Sequence, residues 1–224
     1  MSDNEKLSYN KSFKIVDNVT LYCNDNIDES IIKQLRDEML KVMEFFKLKE
    51  LNKKVNIRIW DNSNEFRKEC EKLSGYELPF WAVGMARNEK DEEYSYIDKL
   101  SLVEQKKIDY HKDATLDDFI KSIVHEFVHV CHTQFCDYNY PEEPWVSEGI
   151  ATYLANQYPN SEYTVSINDV FGYDEVPYQN YRCLYNYIFE NYSYEDIMKL
   201  LNSDLEMIND IKANVMSNEK KGIF

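Results

Sequence analysis

The chain is poor in the residues that punctuate, staple or unravel a fold. Five prolines and five glycines in 224 residues exclude a collagen-like period, a linker array and a low-complexity disordered chain. The five cysteines, Cys23, Cys70, Cys131, Cys136 and Cys183, are scattered and never form a Cys-x-x-Cys pair. That spacing excludes a disulfide framework and a zinc knuckle. Cations are scarce: 26 Lys and Arg face 41 Asp and Glu, a formal net charge of −15. Without a cationic surplus to displace phosphate counterions, no nucleic-acid partner is expected, and none is expected in an anionic membrane surface. No apolar run approaches the roughly 18 residues that a membrane-spanning helix requires. The opening Met1-Ser-Asp-Asn-Glu-Lys lacks the apolar core of a signal peptide, so a cytoplasmic protein is expected.

What is present suits a globular core. Hydrophobic residues make up 43% of the chain, and its length fits one domain over residues 1–224. Residues 12–110 read mainly as strands with interleaved helices. Ser12–Asn24 holds two β-branched runs around Asp17-Asn18, and Lys54–Trp60 alternates strictly. Leu78–Ala86 and Tyr94–Leu102 are two further strands, with Arg87–Glu93 as the loop between them. Between these strands, Ile31, Leu35, Met39, Val42 and Phe46 mark one helix. A shorter one follows Asp61-Asn-Ser-Asn and ends at Ser74-Gly75. Residues 115–157 hold two helices, Thr115–Phe135 and Val146–Gln157. After an irregular stretch, residues 177–218 form a helical C-terminal part. The order predicts an α+β fold.

Four histidines occur, and three lie between positions 125 and 132. Two frame His125-Glu126-Phe127-Val128-His129. On a helix, residues four apart sit about 40° apart in azimuth and about 6 Å along the axis, so both imidazoles leave one face and can close on one ion. Zinc favours neutral imidazole nitrogen, three protein ligands and an open fourth position. Glu126, beside the first histidine, is placed to act as base toward a water there. Glu148, nineteen positions after His129, is the candidate third ligand, in Trp145-Val-Ser-Glu148-Gly149-Ile-Ala151-Thr-Tyr153. Its other reading is a glutamate answering the helix dipole. Gly149, Ala151 and Ala155 are expected to let this helix pack closely on the histidine helix.

These two motifs resemble the gluzincin metallopeptidases, with spacing similar to the aminopeptidase clan and its small peptidase MA-like relatives. The resemblance implies a thermolysin-like (zincin) catalytic domain, a small mixed sheet followed by a helical part. It implies Zn2+ on His125, His129 and Glu148, with Glu126 as general base and proton shuttle, acting on a peptide or protein substrate. It also implies an upstream strand that pairs with extended substrate, either Tyr94–Leu102 or Leu78–Ala86. A downstream tyrosine would donate to the oxyanion: Tyr178 at the start of its helix, or Tyr181 one turn on. Where the aminopeptidases read a free amine with Glu in Gly-Ala-Met-Glu-Asn, this chain has Gly84-Met85-Ala86-Arg87-Asn88. A cation cannot bind an ammonium group, which points away from aminopeptidase activity. The alternative is a catalytically silent zinc-containing binding protein of the same fold.

The remaining candidates are expected to be ordinary. Arg87 is a solvated hairpin residue unless it meets an acidic substrate group. His132 is a partly exposed helix histidine, or a partner of the metal ligands. His111 has no assigned role, and Asp117 and Asp118 serve a helix N-terminus.

Overall fold

The computed structural model describes residues 9–88, 90–172 and 176–219, so the opening Met1–Lys6 segment lies outside the described residues. The fold is mixed α/β, with a five-stranded mixed sheet and nine α-helices among those residues. The chain divides into two compact units, residues 1–41 with 49–123, and residues 42–48 with 124–224. No helix among the described residues is long and apolar enough to cross a membrane.

The first unit is built on the sheet. The hairpin β1 (Lys11–Val16) and β2 (Val19–Cys23) turns through Asn18, whose φ of 63° is a left-handed conformation that asparagine tolerates. Helix α1 (Glu29–Phe45) carries the chain to β3 (Lys54–Trp60), which pairs parallel with β2. Helix α2 (Ser63–Ser74) follows. Its Asn62 cap accepts from the backbone of Asn64 and Glu65, and Gly75 ends it at φ 80°. Then come β4 (Gly84–Asn88) and β5 (Tyr94–Leu100), giving the order β1-β2-β3-β5-β4. The strict alternation of β3 sends Val55 and Ile57 to full burial on one face. On the other, Trp60 and Leu100 pack with Phe66 and Cys70 of α2.

Three expectations change here. β5 pairs with β3 on one side and β4 on the other, so it has no free edge to offer an extended peptide. β4 pairs on one side only among the described residues. Residues 78–83 are not part of that strand. Leu78 and Ala82 are buried without joining a ladder, because the Arg67 guanidinium takes the carbonyls of Leu78, Pro79 and Phe80. Arg87 is not solvated: it lies in β4, 18% exposed, 3.5 Å from Glu92 and 4.5 Å from the Tyr96 ring centroid. His111, in a 3-10 turn after the short helix α3 (Leu102–Gln105), donates from Nε2 to the Trp81 carbonyl at 2.7 Å.

Helix α4 (Leu116–Phe135) begins in the first unit. Asp118 accepts from the Thr115 backbone and hydroxyl, while Asp118 N–H donates back to Thr115 Oγ1, a reciprocal cap. From Val124 onward it belongs to the second unit. There it is followed by α5 (Pro144–Leu154), α6 (Ile167–Gly172), α7 (Tyr178–Asn191), α8 (Tyr194–Leu201) and α9 (Leu205–Glu219). Helix α6 falls in the stretch expected to be irregular. Tyr185 of α7 donates its hydroxyl to the Val146 carbonyl of α5 at 2.7 Å. The same ring packs on Gly149, so that glycine serves the approach of α7 rather than of α4. All five cysteines are free and buried.

Candidate metal centre

Helix α4 places His125 and His129 one turn apart, and α5 supplies Glu148 from its second turn. His125 Nε2 lies 3.1 Å from His129 Nε2 and 3.1 Å from Glu148 Oε2. His129 Nε2 lies 3.5 Å from Glu148 Oε1. A tetrahedron with bonds of 2.0–2.1 Å to nitrogen and oxygen has edges of about 3.3 Å. The donor set and its spacing therefore fit a zinc ion, with two imidazoles and one carboxylate available to hold it. Among the described residues these three form the group able to hold a metal.

The Glu148 side chain is 27% exposed, and its charge is set by the two histidines beside it. Burial acts to raise the Glu148 carboxyl, but His129 and His125 outweigh it and hold it well below the ordinary carboxylate range. Burial works against a charged His129, yet Glu148 more than offsets this and raises it. Glu126 is half-buried beside His125, and its charge is felt at His129, Tyr140 and Tyr178.

Tyr178, at the start of α7, hydrogen-bonds Glu148, and its ring centroid is 5.5 Å from that of His125. Burial, reinforced by Glu148 and Glu126, pushes its hydroxyl well above the ordinary phenol range, so it stays a donor. Tyr181 is 1% exposed, with its ring 6.1 Å from that of Tyr178. The structure thus gathers His125, Glu126, His129, Glu148 and Tyr178 in one place.

His132 does not join them. It is fully buried, not partly exposed, and donates from Nε2 to the Leu201 carbonyl at the end of α8, 2.7 Å away. Burial lowers it to about 4, so it is neutral. Two residues that sequence reasoning missed do reach His125 and His129. Gln157 Oε1 is 3.0 Å from His125 Nδ1, and the Tyr140 hydroxyl is 2.6 Å from His129 Nδ1. Tyr140 lies in the loop before α5, and Gln157 lies past Leu154, where α5 ends short of the Val146–Gln157 span expected from the sequence, so no spacing in the sequence marks them.

No protein-family model matches the chain, and no curated protein or solved structure matches it either. What the site can do is read from its own chemistry.

Proposed function

We propose that the chain is a zinc metallopeptidase of the gluzincin kind, with a thermolysin-like arrangement, hydrolysing peptide bonds in a peptide or protein substrate. The observation that carries this reading is the convergence of His125 Nε2, His129 Nε2 and Glu148 at 3.1–3.5 Å beside Glu126. Zn2+ bound there supplies Lewis acidity, which makes water a nucleophile near neutral pH and polarises the scissile carbonyl.

The chain's own residues do the rest. Glu126 takes a proton from the attacking water and returns it to the leaving amine. The Tyr178 hydroxyl, kept protonated, donates a hydrogen bond to the oxyanion as the carbonyl becomes tetrahedral. Glu148 fixes one negative charge at the site and thereby balances part of the metal's charge. Arg87, in place of the glutamate that reads a free amine in the aminopeptidases, leaves endopeptidase or narrow-specificity cleavage as the expected mode.

The test is zinc content by elemental analysis together with cleavage of a peptide library, in wild type and Glu126→Gln. One zinc per chain in both proteins, with cleavage only in wild type, is the expected result. Cleavage retained by Glu126→Gln sinks the assignment of the base. Zinc without cleavage in either protein indicates a silent binding protein instead.

A further inference from the structure

The two histidines are each held from behind by an uncharged side chain. We propose that Gln157 and Tyr140 are positioning residues that fix the ring orientation and the Nδ1 proton of His125 and His129 through neutral hydrogen bonds. The inference rests on the metal reading of this site and adds what sets its affinity.

An imidazole that offers Nε2 to a metal must carry its hydrogen on Nδ1, and whatever accepts that hydrogen selects the tautomer. For His125 the acceptor is Gln157 Oε1 at 3.0 Å. For His129 it is the Tyr140 hydroxyl at 2.6 Å. A phenol can donate or accept; with Nε2 given to a metal, Nδ1 of His129 carries the proton and the Tyr140 oxygen is the acceptor.

The backbone is bent to aim both partners. Seven non-glycine residues have positive φ among the described residues, and four of them flank these two positions. Asp137 (47°) and Tyr138 (64°) precede Tyr140, while Asn156 (51°) and Tyr158 (48°) bracket Gln157. Left-handed conformations at such residues persist only where surrounding contacts enforce them. At the second turn Arg182 is the enforcing group. It is 9% exposed, and its Nη1 donates to the carbonyls of Tyr153 and Gln157 at 3.2 Å and to Asn156 Oδ1 at 3.4 Å. Its Nε donates to Asn186 Oδ1 at 3.0 Å, so α7 holds the turn that orients His125.

The chemical consequence is a soft hold. A carboxylate behind each imidazole would make it more basic and tighten the metal; an amide and a phenol do so less. Removing either partner loosens zinc, and turning Gln157 into a carboxylate tightens it.

The experiment is a chelator-competition titration of zinc on wild type, Gln157→Leu, Gln157→Glu and Tyr140→Phe, with circular dichroism to confirm folding. Gln157→Leu and Tyr140→Phe are expected to bind zinc roughly 10–100-fold more weakly, and Gln157→Glu at least as tightly as wild type. In parallel, 15N-labelled metal-free wild type is expected to show Nδ1-attached protons on both histidines, each lost in its own variant. Variants that bind zinc as tightly as a zinc-binding wild type overturn the positioning roles, and so does the absence of Nδ1 protons in the wild type. A wild type that takes up no zinc overturns the metal reading itself, which distinguishes the two failures.

Discussion

Gly149 and Tyr185 are in direct contact, and the contact has no room for a side chain. A Cβ at position 149 would fall 2.2 Å from Tyr185 Cε2 and 2.4 Å from its Cδ2. Tyr185 cannot swing clear, because its hydroxyl is tied to the Val146 carbonyl and its ring is fully buried. Gly149→Ala must therefore push α5 and α7 apart directly beside Glu148. Overpacking of this kind costs about 1–3 kcal/mol. The expected outcome is a lowered melting temperature together with weakened zinc binding, read by calorimetry and by metal titration. A variant as stable as wild type would show that the helices slide at no cost.

Tyr178→Phe removes the hydroxyl and its hydrogen bond to Glu148. If Tyr178 donates to the oxyanion, kcat should fall about 10²–10³-fold, as for other single oxyanion donors, while zinc content stays unchanged. Steady-state kinetics on any peptide that wild type cleaves decides it. The same loss in Tyr181→Phe, with Tyr178→Phe near normal, would move the role one turn along the helix.

His132 gives the fold a pH dependence of definite sign. Its folded value is near 4 against an ordinary 6.5, so between these values the unfolded chain binds a proton that the native protein does not. Stability must therefore rise with pH through that window and fall on acidification from about pH 6.5 to 4. The full difference corresponds to about 3 kcal/mol. Urea denaturation of wild type and His132→Gln across this range should show a shallower slope in the variant, since glutamine donates to the Leu201 carbonyl without titrating.

Asp98 is fully buried between Arg58 Nη2 at 2.8 Å and Trp60 Nε1 at 2.7 Å. Removing the carboxylate strands a guanidinium whose side chain is only 14% exposed. Loss of one partner of a buried pair costs about 3–5 kcal/mol, so Asp98→Ala should unfold at markedly lower denaturant. The indole of Trp60 supplies the fluorescence signal for the measurement.

Legibility in the sequence follows the range of the interaction. His125 and His129 were visible because the helical period alone brings them together, and Glu148 because it rides a helix with its own apolar stripe. The alternation of β3 and the Thr115–Asp118 cap were visible for the same local reason. Gln157 and Tyr140 were not, since their aim depends on left-handed turns, at Asp137-Tyr138 and around Gln157, that no period in the sequence marks. His132 looked like a surface histidine because its partner, the Leu201 carbonyl, is 69 residues away. Residues 78–83 looked like a strand because burial and ladder pairing leave the same apolar mark, while Arg67 rather than a neighbouring strand takes the carbonyls of Leu78, Pro79 and Phe80.

The buried thiols turn the protein into its own clock. None of the five sulfurs meets an alkylating reagent while its surroundings stay closed. Cys23 and Cys70 belong to the first unit, and Cys131, Cys136 and Cys183 to the second. Pulsed alkylation read by mass spectrometry thus times the breathing of each half separately. A zinc ion that ties α4 to α5 should slow the labelling of the last three and leave the first two unaltered.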